Sequence, residues 1–142
     1  MVTKLNGDII GLDLGMKRTG VARINTFVKI AEPLAEIDMD SQDLTTELSK
    51  LIRELDACAI VVGLPRGLDG QETDQTKWVE SERTKLESVV EKPIFTIDEA
   101  GTTKAAEERA QKGQSVDSVA ACIILEDFID ELSRGNVDEA TI

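Results

Sequence analysis

Residues 9–22 read IIGLDLGMKRTGVA, and the architecture turns on them. Ile9, Ile10, Gly11, Leu12 and Leu14 put apolar groups at both parities of an extended chain, which places this strand in the interior of a sheet covered on both faces. Asp13 breaks that run with an ionisable group, and an ionised carboxylate there is costly unless a metal, a cation or several donors meet it. Gly15 and Gly20 bracket Met16, Lys17, Arg18 and Thr19, a connection short enough to be a hairpin that brings two positive charges close to Asp13. Taken alone, Asp13 reads more simply as a strand-end aspartate capping its own turn. The rest of the chain decides.

Two further strands are expected at about 20–25 and 28–37, the second marked as an edge by Pro33. Asp40 and Ser41 offer an N-cap, after which Leu44, Leu48, Leu51, Ile52 and Leu55 form an apolar stripe at helical spacing. Residues 59–63, AIVVG, are short and β-branched enough for a buried strand, which runs into the turn-rich segment GLPRGLDG at 63–70. A polar helix follows over about 71–89. Pro93 opens a strand at 94–97 that delivers Asp98 and Glu99 at its C-terminal end. Gly101 and Thr102 lead into a helix that Gly113 breaks, and Ser115 caps a last, mostly apolar helix with Asp117 in its first turn.

Three strands, then strands alternating with helices, describe an α/β layer with an antiparallel start and parallel crossovers. Sites in such sheets gather at the carboxyl ends of strands. Asp13 stands at one such end, and Asp98 with Glu99 at another.

At 142 residues the chain has the size of one domain, expected over 1–134 with a polar, frayed tail at 135–142. Sixteen basic against 28 acidic residues give a formal net charge of −12, which opposes diffuse attraction to phosphate backbones or anionic membranes. Any polyanion bound must be held by a local patch or by metal. Aromatic residues make up 3% of the chain, so aliphatic side chains fill the core and little is left for base stacking. Cys58 and Cys122 read as small buried thiols of a reducing compartment. No leader pattern and no membrane-length apolar run is present, so a cytoplasmic location without membrane contact is expected.

Three ordered segments resemble the YqgF/RuvX family, whose members are described as Holliday junction resolvases and as pre-16S ribosomal RNA nucleases. They are GLDLGMKRTGVA, IVVGLPRGLDGQETDQ, and PIFTIDEAGTTKAAEE followed by VDSVAACIILEDFID. The resemblance implies a ribonuclease H-like mixed five-stranded sheet with helices on both faces. It also implies phosphodiester hydrolysis on structured nucleic acid, either RNA or branched DNA. Asp13, Glu99 and Asp117 match the family's acidic catalytic positions; Asp98 is a further metal candidate, although strand alternation lets only one of the adjacent pair face the site. The pattern departs at Ala100 and Gly101, where the family commonly has Arg-Leu, and in the short segment before Asp117.

Three converging carboxylates repel one another unless a divalent cation compensates. Oxygen ligands, with no histidine in the chain, point to Mg²⁺ or Mn²⁺. Lys17, Arg18 and Arg66 are candidate phosphate contacts. Thr102 and Thr103 could bind a phosphate at a helix N-terminus, and ordinary capping is the simpler reading. The alternative to a nuclease is a catalytically inactive module of the same fold that binds nucleic acid or a protein. A two-domain sugar-kinase or actin-like phosphotransferase shares the glycine and aspartate opening but does not fit in 142 residues.

Overall fold

The computed structural model describes residues 5–137. Its elements are β1 (Asp8–Asp13), β2 (Arg18–Asn25), β3 (Glu32–Asp38), α1 (Leu44–Leu55), β4 (Ala59–Pro65), α2 (Asp74–Glu87), β5 (Ile94–Glu99), α3 (Thr102–Arg109) and α4 (Val116–Ser133). The strands form one five-stranded sheet in the order β3-β2-β1-β4-β5. β1 runs antiparallel to β2 and parallel to β4, so the strand with apolar groups at both parities is the central one. β2 and β3 are antiparallel with an irregularity between Thr19 and Val21, and β4 and β5 are parallel.

Side-chain alternation splits the core in two. Ile10, Leu12, Val21, Ile60 and Val62 meet Leu44 and Leu48 of α1 and Val79 and Leu86 of α2. Ile9, Ala22, Ile24, Ala59 and Val61 meet Ala121, Ile124, Leu125 and Phe128 of α4 on the opposite face. Ala106 fixes α3 to Val119 and Ala120 of α4. Helices therefore cover both faces, as expected.

α4 lies unusually low on the sheet because three strands present glycine beneath it. A Cβ on Gly20 would overlap the Asp117 carbonyl, one on Gly63 the tip of Ile124, and one on Gly11 the Leu125 side chain. The buried Ser118 hydroxyl then accepts from the Val21 amide at 3.1 Å, tying the helix start to β2.

Several boundaries differ from expectation, each for a local reason. β3 begins at Glu32 rather than near residue 28, because the Asn25 side chain accepts from the Phe27 and Val28 amides and holds a turn, with Lys29 at φ 61°. The N-cap of α1 is Asp43, which accepts from Thr46 N at 3.0 Å, and not Asp40 or Ser41. Those two lie in a turn whose amides are taken by Asp38. α2 starts at Asp74 under a capping box made by Thr73 and Thr76. Ser115 caps α4 as expected, accepting from Ser118 N at 3.2 Å. Of the tail at 135–142, residues 138–142 lie outside the described residues.

Gly20→Ala is expected to lower the unfolding free energy in urea by about 1–3 kcal/mol or more, since the clash is with helix backbone and not with a flexible side-chain end. A variant as stable as wild type would mean that α4 is not seated where it is described.

Candidate active site

The seat of α4 determines which carboxylates meet. Asp13 closes β1 opposite Gly20 of β2, and Gly20 is the residue on which the Asp117 backbone rests. The central strand end and the first turn of α4 are thereby neighbours. From β5, alternation sends Phe95, Ile97 and Glu99 to the α4 face. Asp98 takes the other direction and is held by Arg66, whose Nε and guanidinium nitrogen each donate to Oδ1 at 3.2 Å. Of the adjacent pair, Glu99 is the one turned to Asp13.

The charges do not balance. Burial, and then the charge of Asp117, push the Asp13 carboxyl up to about 7. Glu99 is pushed up to about 8, first by burial and then by its neighbour Asp127, with Asp13 adding to the effect and the Thr102 hydroxyl opposing it. Thr102 donates to Glu99 Oε2 at 3.0 Å, whereas Oε1 is buried without a hydrogen-bond partner. Asp117 is answered by Arg18, Nε to Oδ2 at 3.0 Å. Among the described residues no three acidic or thiol side chains stand close enough together to hold a metal ion. Two of the acids are ion-paired, Asp117 with Arg18 and Asp98 with Arg66.

A groove of about 590 Å³ brings Asp13 and Glu99 together with Arg66, Thr102, Thr103 and Lys104. Lys17, in the β1–β2 turn, and Arg18, the first residue of β2, lie outside it, both exposed. The capping reading of Thr102 and Thr103 is corrected. The N-cap of α3 is Gly101 at φ 72°, it makes no side-chain cap, and the Thr102 hydroxyl is committed to Glu99.

Asp127 and Lys104 were not legible as site residues. Asp127 sits in the run EDFIDE of α4, which looks like a solvated face until the helix is laid across β5. Lys104 follows two threonines in a segment rich in charge of both signs, and only the position of α3 over the groove singles it out.

A family model described as RuvX, Holliday junction resolvase, matches residues 7–131. The chain belongs to the RuvX family. A RuvX relative from Thiobacillus denitrificans, named "Putative pre-16S rRNA nuclease", is 37% identical over 134 residues, covering 88% of this chain and 92% of that one. A relative of the same name from Hydrogenovibrio crunogenus is 36% identical and is covered in full, with 93% of this chain. Among solved structures, Thermus thermophilus RuvC in complex with a Holliday junction substrate superposes with a TM-score of 0.57 at 14% identity, covering 91% of this chain and 97% of that one. The yeast mitochondrial Holliday junction resolvase gives 0.53 at 11% identity, over 96% of this chain and 84% of that one. These likenesses give this RuvX protein the ribonuclease H-like fold. None of its described helices is long and apolar enough to cross a membrane.

The raised carboxyls carry a pH signature. The folded chain holds protons on Asp13 and Glu99 more tightly than the unfolded chain does, so their contribution to stability is complete below the ordinary carboxylate range and is lost as pH rises through about 7 and 8. Without divalent ions, the melting temperature is expected to fall between pH 5 and pH 8.5. Asp13→Asn and Glu99→Gln should each flatten that profile, in scanning fluorimetry with an external dye. Variants that track the wild-type slope would place both groups in ordinary solvent.

Proposed function

We propose that this RuvX protein hydrolyses phosphodiester bonds in structured RNA, with a precursor of 16S ribosomal RNA as the first substrate to test. Asp13, Glu99 and Asp117 are its catalytic carboxylates. The observation that carries the reading is the pair formed by Asp13 and Glu99. Two half-buried carboxyls from different strand ends share one groove, and among the described residues neither is ion-paired. The name carried by whole-length relatives at 36% and 37% identity supports RNA over branched DNA, because the resolvase structures share the fold at much lower identity. A cytoplasmic location accords with that substrate.

The donor set fits Mg²⁺ or Mn²⁺. It consists of carboxylate oxygens alone, histidine is absent from the chain, and Glu99 Oε1 is buried with no donor. Asp13 and Glu99 would hold the ion, with Asp117 joining once it leaves Arg18. A bound divalent ion supplies an acidified water and a Lewis acid for the phosphoryl oxygens.

The remaining roles belong to side chains on the page. Thr102 orients Glu99 by donating to Oε2, which leaves Oε1 without a hydrogen-bond donor. Arg18, freed from Asp117, is a planar fork at the edge of the turn, and Lys17 beside it is a point charge. Arg66, braced by Asp98, and Lys104 put positive charge on the groove wall, where Thr103 adds a hydroxyl for a phosphate oxygen. Against a net charge of −12, this local set does the work of holding the substrate backbone.

A second reading, a binding module of the same fold that does not cut, is favoured by one observation: no three carboxylates converge among the described residues. Cleavage of a 16S precursor RNA and of a four-way DNA junction separates the two. The enzyme reading expects Mg²⁺- or Mn²⁺-dependent cutting, reduced by roughly 100-fold or more in kcat for Asp13→Asn and Glu99→Gln, with RNA affinity changed only a few-fold. RNA binding with no metal-dependent cleavage by the wild-type chain would establish the module instead.

A further inference from the structure

We infer that a subsite for a single unpaired nucleobase, formed by Met16 and Trp78, lies beside the groove. The inference rests on the nuclease reading and deepens it. Beside the groove lies a second depression of about 260 Å³, walled by Gly15, Met16, Asp74, Gln75 and Trp78. Gln75 lines both, so the two spaces are neighbours.

Three observations fix the kind of occupant. Trp78 is the chain's one tryptophan, only partly buried, with part of its surface packed on the α1 and α2 core and part lining the depression. Met16 is 67% exposed at the tip of the β1–β2 turn, so its polarizable thioether contributes little to the core and is available as the other wall of a slot. An indole and a thioether lining one depression suit a flat π system, and base–aromatic stacking works for every base.

The polar walls exclude the other part of a nucleotide. Asp74 puts a carboxylate on the depression, which turns a phosphate away and accepts N–H from a base edge. Lys17 in the turn and Arg18 at the start of β2 follow Met16 directly, and they supply the positive charge for the phosphate attached to that base. At about 260 Å³ the space is smaller than a site for a drug-sized ligand, which suits one base and not a duplex end. The substrate class that follows is RNA with an unpaired nucleotide next to the scissile bond.

Because no other tryptophan and no tyrosine is present, the intrinsic emission of the protein reports on Trp78 alone. The experiment titrates a single-stranded RNA octamer into the 142-residue chain, with Ca²⁺ in place of Mg²⁺ to slow cutting. Affinity is followed in parallel by anisotropy of an end-labelled octamer. Saturable quenching of Trp78 at the concentration where anisotropy rises is the expected result, together with roughly 5- to 100-fold weaker binding for Trp78→Leu and a smaller loss for Met16→Ala. Octamer binding that leaves the emission unmoved, with Trp78→Leu binding as tightly as wild type, would overturn the subsite and leave the nuclease reading standing. Failure of the wild-type chain to bind or cut any RNA would remove both. The quenching is measured on the wild-type chain, so a poorly folding variant leaves the decisive readout intact.

Discussion

The close seating of α4 on the sheet is the constraint from which the rest follows. Gly11, Gly20 and Gly63 come from three neighbouring strands and leave no side chain where the helix passes, so helix backbone rests on strand backbone. The buried bond between Ser118 and Val21 fixes the register of that contact. Since Gly20 is also the partner of Asp13 across β1 and β2, the same contact brings Asp117 to the end of the central strand. Were the glycines replaced by larger residues, the helix would ride higher and the two carboxylates would part.

Packing this tight has an electrostatic consequence. Asp13 and Glu99 are partly withdrawn from water beside other carboxylates, and both hold their protons far more tightly than free side chains. Arginines meet two acids outside this pair, Arg18 at Asp117 and Arg66 at Asp98, and among the described residues the pair itself has no ion-pair partner. A fold that assembles such a surplus at the carboxyl ends of its strands is suited to a hard divalent ion. The net charge of −12 then makes the few cations at the groove the elements that decide where a nucleic acid can approach.

Much of this was readable in the chain. β1 was legible because apolar groups at both parities fit only an interior strand, and α1 because its leucines repeat at helical spacing. Ser115 was legible as a cap because it stands just before the apolar run of α4, and it accepts from the Ser118 amide. The α1 cap was misread since Asp40, Ser41 and Asp43 are all competent, and the choice depended on Asp38 claiming the intervening amides. Alternation allowed only one of Asp98 and Glu99 to face the site, but which one required the register of β5 on β4. Thr102 looked like a cap, and its commitment to Glu99 depends on a glycine occupying the cap position at positive φ. Asp127 was invisible for a different reason: its role depends on where a helix is laid and not on any local pattern.

The most direct test of the account is a crystal soaked in Mn²⁺ and examined by anomalous scattering. Anomalous density bounded by Asp13 and Glu99, with the Asp117 carboxylate rotated away from Arg18 toward it, is the predicted result. Density confined to the exposed acids elsewhere on the surface, or none while Asp117 stays on Arg18, would contradict the claim that these strand ends are built around a metal ion.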